Sequence, residues 1–226
     1  MNSNGIIDLH THTIFSDGTL PVMEHLHQAE KHGYSYIGVT DHVDAENIEE
    51  IVQKTIEGCR EFNKNSKNLI ALPGAEITHV SPQEIADLVK KARELGAILV
   101  TFHGETLMES QATGINNEAI NARVDFLGHP GILSEEDAKL AAQHGVFLEI
   151  SGRAVHSLGN GRTVAYARKH GANLLINSDA HALKDFFTET RYNGIALGAG
   201  LTQKELDALK IKTLSFVQMK LKCFLS

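Results

Sequence analysis

The apolar residues of this chain fall into short runs separated by longer stretches in which apolar positions recur every three or four residues. The runs over 6–11, 34–39, 69–77, 97–101, 124–127, 146–150 and 173–176 predict about seven short strands. The intervening amphipathic stretches predict helices over 22–32, 46–63, 82–95, 134–144, 162–170 and 203–209.

One junction recurs. Lys31-His32-Gly33, Glu94-Leu95-Gly96, Gln143-His144-Gly145 and Lys169-His170-Gly171 each close a helical stretch directly before a strand. Glycine accepts the left-handed conformation that ends a helix, and a cationic or histidine side chain in the last turn suits the negative end of the helix dipole. Repeated helix-to-strand junctions of this kind are the pattern of parallel βα units. No Pro-, Ser- or Gly-rich linker divides them, so residues 1–226 read as one domain. The lysine-punctuated apolar segment at about 213–226 is expected to dock on it as a terminal helix rather than to anchor in a membrane.

The chemistry-bearing residues cluster where these strands run out. In a parallel barrel the C-terminal ends of the strands face one rim. His10 and His12 end the first strand two residues apart, on the same face if the strand continues that far. Asp179 and His181 stand in the same relation at the last strand, and Asp17, His42, Glu76, His103 and His129 follow or end others. Imidazoles and carboxylates without cysteine suit divalent transition metals that polarise a substrate and activate water.

The sequence carries its own control. His25 and His27 also have HxH spacing, but on a helix they diverge by about 200° and cannot chelate together, so they are expected to be surface or partly buried polar residues. His32, His144 and His170 read as helix-terminal residues.

Composition narrows the partners. A net charge of -7 argues against an extended phosphate-backbone interface, so a nucleic-acid polymer is disfavoured as a partner. With only Cys59 and Cys223, far apart and outside any CxxC pattern, a reducing cytoplasm is the simplest compartment. No basic leader stands in residues 1–5, and no apolar run reaches the roughly 18 residues of a membrane span.

The ordered set DLHTHTIFSDG, VTDH, GAEI, TFHGE, GHPG and NSDAH resembles the PHP (polymerase and histidinol phosphatase) family, over nearly the whole chain from Asp8 to about Gly200. The resemblance implies an α/β fold, a distorted (βα)7 TIM-like barrel holding two or three divalent ions (zinc, manganese or iron) at its C-terminal rim. By position, His10, His12, Glu76 and Asp179 would hold one ion. Glu76 would bridge to a second ion held also by His103 and His129, and Asp17, His42 and His181 would take a third. Some members have a histidine near Asp17.

Three carboxylates against three divalent ions leave a surplus of about three positive charges, which fits a phosphate ester. The expected activity is hydrolysis of a small phosphomonoester, of the histidinol-phosphate or nucleotide-phosphate class, by a metal-activated hydroxide. Glu76, Asp179 and His181 would be the catalytic residues, His181 either as a ligand or as a proton shuttle to the leaving group. Arg153 is a candidate for the substrate phosphate, Arg191 a weaker one. His156 and His79, in loops after strands, would line the pocket or support ligands. Asp8 and Asp41 would orient imidazoles or serve as polar core residues. The alternatives are a phosphodiesterase or exonuclease-like enzyme and a non-catalytic, metal-stabilised binding module.

Overall fold

In a computed structural model of the chain, the backbone is described for residues 5–109 and 112–225 and the side chains as far as Lys222, so the Cys223 side chain and residues 1–4 lie outside the description. Strands β1 (Ile6–Asp8), β2 (Tyr34–Val39), β3 (His42–Val43), β4 (Ile70–Ile77), β5 (Leu99–His103), β6 (Phe126–Gly128), β7 (Phe147–Ser151) and β8 (Asn173–Asn177) are all parallel. Their order is β1-β2-β4-β5-β6-β7-β8, with β3 on β4 beyond the end of β2. The pairs Val39 with Pro73 and His42 with Glu76 keep one register, so β2 and β3 are a single interrupted strand, and seven strand positions circle the barrel.

The seam is not a full ladder. β1 and β8 meet through an isolated bridge between Thr11 and Ala180, where His12 N donates to Ala180 O. Side chains complete it: Leu9 N donates to Asn177 Oδ1 and Ser178 N to Asp8 Oδ1. The barrel is therefore distorted at one wall, and the segment carrying His10 and His12 runs beyond the last residue of β1.

Helices α1 (Val22–Lys31), α2 (Ile48–Asn65), α3 (Ile85–Glu94), α4 (Ile115–Asn121), α5 (Glu135–His144), α6 (Asn160–His170), α7 (Glu189–Gly198) and α8 (Gln203–Leu225) cover the outside. Gly145 and Gly171 close α5 and α6 in the left-handed conformation, as the junction pattern requires. Three differences from the sequence reading stand out. The strand β3 is too short to leave a hydrophobic run, α4 and α7 carry too weak an apolar stripe to read, and the two C-terminal helical stretches are one continuous helix.

Strand alternation sorts side chains by layer. Leu72, Leu99, Phe126, Phe147 and Leu175 form an apolar plug at the N-terminal end of the barrel, with Leu9 and Tyr36. Phe216 and Val217 of α8 join that plug, so the terminal helix packs across this end. Two residues further along the same strand faces come Gly74, Thr101, Gly128, Glu149 and Asn177, and two further again Glu76, His103, Ser151 and Asp179. The interior therefore passes from apolar to polar to ligand-bearing. Alternate residues such as Ala75, Val100, Leu127 and Leu148 face outward into a large core against the helices.

Candidate metal centre

All nine strand-end residues are brought to one rim. His10 Nε2 lies 3.2 Å from Glu76 Oε1 and 3.9 Å from Asp179 Oδ1. His12 Nε2 lies 3.5 Å from Glu76 Oε2 and 3.2 Å from Asp179 Oδ1. His129 Nε2 approaches Glu76 Oε1 at 3.4 Å. On the other flank, Asp17 Oδ2 is 3.1 Å from His181 Nε2 and Asp17 Oδ1 3.6 Å from His42 Nε2. Among the described residues, four groups of side chains have donor atoms within 4.8 Å of one another: His10, His12 and Glu76; His10, His129 and Asp179; His12, Asp17, His42 and His181; and His103, His129 and His156.

Backbone geometry aims two of these residues at a cost. His129 (φ 23°) and Asp179 (φ 53°) both occupy the left-handed region, which costs of order 1–3 kcal/mol each for a non-glycine residue. Gly128 makes room beside them, since a Cβ there would stand 3.0 Å from His10 Cε1 and 3.3 Å from Glu76 Oε1.

The donor set can be tested for metals on its own hydrogen bonding. Buried polar atoms are nearly always paired. Here His10 Nε2, both ring nitrogens of His12, both Glu76 oxygens, His129 Nδ1 and Asp179 Oδ2 are buried without a hydrogen-bond partner. Lone pairs this concentrated and this dry call for cations, and the nitrogen and oxygen donors fit divalent transition metals.

The acid–base balance says the same. Against the upward push of burial, His10 and His42 hold the Glu76 carboxyl well below its ordinary range. Burial would lower His42, but the facing Glu76 lifts it to about 9. His10 is raised against burial chiefly by Glu149 and Glu76. His12, buried and beside His42, is pushed well below its ordinary value, and burial takes His103 down to about 3. The Glu76 carboxylate demands positive charge, and the neutral imidazoles of His12 and His103 keep lone pairs for coordination.

One residue of consequence escaped the sequence reading. Glu149, buried on β7, contacts His10 Nδ1 at 2.7 Å and accepts from Asn177 Nδ2 at 2.9 Å and from His129 N at 3.2 Å. It turns the other nitrogen of His10 toward Glu76, the outer-shell role that the sequence reading offered to Asp8 and Asp41. Those two are buried polar core residues, the other role the sequence reading offered them. Asp41 accepts from Thr13 N, Thr13 Oγ1 and Ser16 Oγ, and Asp8, lifted by burial to about 7, accepts from Ser178 N and Tyr34 Oη. Glu149 was legible only as an acidic residue at an inward position of an otherwise apolar strand.

The remaining candidates divide. Arg153 sits at the rim, its Nη1 donating to Asp179 O at 3.2 Å and to His181 Nδ1 at 2.5 Å. Arg191 does not reach the cluster by its hydrogen bonds: it donates to Lys184 O, Asp185 O and Gly152 O, clasping the segment after His181 to the turn after β7. His156 stacks on His129 with ring centroids 4.2 Å apart, while exposed His79 only flanks His103 at 6.3 Å. His27 is exposed as expected, whereas His25 is buried and bonded to Thr11 Oγ1 at 2.9 Å, a core histidine rather than a surface one.

The PHP domain model matches residues 8–210, a span that contains every residue of the cluster. The chain belongs to the PHP domain family. An uncharacterized protein of Methanocaldococcus jannaschii is 39% identical over 201 residues, covering 88% of this chain and 92% of that protein. A probable phosphatase of Clostridium novyi is 25% identical over 197 residues, 78% of this chain and 79% of its own. In fold, this PHP chain is similar to a chain from the crystal structures of YwqE from Bacillus subtilis and CpsB from Streptococcus pneumoniae, described as metal-dependent tyrosine phosphatases. The TM-score is 0.55 at 14% identity, with 88% of this chain and 89% of that one covered.

Proposed function

We propose that this PHP-family chain, a metal-dependent phosphoesterase, hydrolyses a small phosphomonoester of the histidinol-phosphate or nucleotide-phosphate class. The observation that carries the reading is the set of buried, unpaired His, Glu and Asp atoms at one rim, with Arg153 beside them. In this reading His10, His12, Glu76 and Asp179 hold one ion, Glu76, His103 and His129 a second, and Asp17, His42 and His181 a third. Divalent ions bound there supply an activated water and neutralise charge on the phosphoryl and leaving oxygens.

The chain's own residues do the rest. Glu76 presents both carboxylate oxygens between the histidine groups, and Asp179 is held among His10, His12 and His129. Arg153 brings a planar, permanently charged fork to the rim and is partly exposed, so it can exchange its carbonyl contact for a substrate phosphate. The alternative role for His181, which lies between Asp17 and Arg153, is to move a proton to a leaving oxygen in place of binding the third ion.

A small anion suits a rim where an acidic chain concentrates cations. The net charge of -7 leaves no general attraction for a nucleic-acid backbone. Among the described residues no helix is long and apolar enough to cross a membrane, and with the two widely spaced cysteines this supports a cytoplasmic setting.

The test compares p-nitrophenyl phosphate, bis(p-nitrophenyl) phosphate and a single-stranded oligonucleotide with metal-reloaded protein. Preference for the monoester is expected; faster cleavage of the diester or the oligonucleotide overturns the phosphomonoester assignment.

A further inference from the structure

The second cluster is more crowded than three ligands require. Residues 104–109, after β5, lie against it, and two of their side chains are anchored. Glu105 Oε1 accepts from Gly114 N at 2.7 Å and Asn116 N at 3.2 Å, while Thr106 Oγ1 contacts His156 Nδ1 at 2.5 Å. From this segment Glu109 reaches inward: its Oε2 lies 3.2 Å from His103 Nε2 and its Oε1 4.0 Å from His156 Nε2.

His156 is built as a ligand would be. Thr106 occupies its Nδ1, so Nε2 is the nitrogen turned to the cluster, 3.7 Å from Asp179 Oδ2. The ring is buried, stacks on His129, and has a donor atom within 4.8 Å of those of His103 and His129. Donor atoms on one ion at metal–ligand distances of about 2.1 Å stand roughly 3.0–3.4 Å apart in octahedral or tetrahedral geometry. The Glu109–His103 spacing of 3.2 Å falls in that range, and the 4.0 Å between Glu109 and His156 exceeds it by about 0.6 Å, a gap that a small turn of either side chain closes.

We propose that His156 and Glu109 complete the coordination of the ion held by His103 and His129, making this the closed, tightly held position of the centre. An ion with four or five protein ligands has few open sites, the character of a structural rather than a substrate-binding metal. Glu109 also places a carboxylate on this flank, so a phosphate is directed toward the opposite side, where Arg153 meets His181. The proposal rests on the rim being a metal centre, but not on the identity of the substrate.

The test titrates metal-stripped protein with cobalt(II), reading visible absorption and chelator competition in wild type, Glu109→Gln and His156→Gln. Glu109 is partly exposed on a loop, so its variant tests the proposal even where His156→Gln does not fold. Each variant is expected to lose about tenfold or more in affinity for one ion, with altered absorption bands, the other ions binding as in wild type. An unchanged spectrum and affinity in either variant removes that residue from the ligand set and overturns the proposal. Wild-type protein that binds no cobalt overturns the metal-centre reading itself, and the two failures are thereby distinct.

Discussion

Glu76 and His42 are register partners across the β3–β4 ladder, and their side chains meet at 2.8 Å between Oε2 and Nδ1. This contact joins the two halves of the rim. Through Oε1 the same carboxylate faces His10 and His129, and through Oε2 it also faces His12. A single buried acid thus stands within 3.5 Å of four imidazoles.

Replacing that acid should dismantle the centre. Glu76→Gln keeps the shape but removes the charge, so turnover should fall by at least about a hundredfold. The rise in melting temperature that metal gives the wild type by binding only its folded state should largely vanish. Calorimetric melting with and without metal checks this, and a full metal-induced rise in the variant would contradict the bridging role.

Glu149 acts at one remove, through His10. Glu149→Gln should cost about ten- to a hundredfold in metal affinity or activity while the protein stays folded. Glu149→Asp should recover part of the loss. Equal, complete inactivation of both variants would mean that the acid does more than orient an imidazole.

Arg153→Lys retains the charge but loses the fork. If Arg153 binds the substrate phosphate, KM should rise about tenfold or more with bound metal unchanged. Arg191→Lys, acting on backbone carbonyls, should alter stability more than KM. The same steady-state series and a melting curve separate the two.

His25 predicts a pH effect away from the metals. Burial holds its imidazole down to about 3, far below its ordinary 6.5, so the unfolded chain takes up a proton that the folded chain refuses. At pH above 6.5 neither state is protonated there and the residue contributes no pH dependence. As pH falls from 6.5 toward 3, stability is lost at up to about 1.4 kcal/mol per unit. His25→Gln should flatten that slope by one proton in denaturant titrations of metal-free protein. An unaltered slope would show that His25 does not remain neutral in the fold.

Much of this was legible because ligands and strands obey the same periodicity. The helix-closing glycines marked where strands begin, the apolar runs marked their length, and the strand ends carried His42, Glu76, His103 and His129. What escaped did so for physical reasons. His25 and His27 look alike in sequence, yet only His25 faces the wall where Thr11 meets Ala180. Arg153 follows β7 and Arg191 lies in α7 after β8, and only the tertiary fold assigns one to the cluster and the other to carbonyl groups. Glu149 pairs with His10 across 139 positions, a relation that no local pattern records.

The central claim is that the rim is a metal centre that cleaves phosphate esters. Its most direct test is phosphate release from a panel of phosphorylated metabolites and nucleotides, using protein stripped of metal and reloaded with zinc, manganese or iron(II), alongside Asp179→Asn. Turnover of a monoester that requires metal, and that falls at least about a hundredfold in the variant, is the expected result. Phosphate release that persists in stripped protein, or equally in Asp179→Asn, would contradict it.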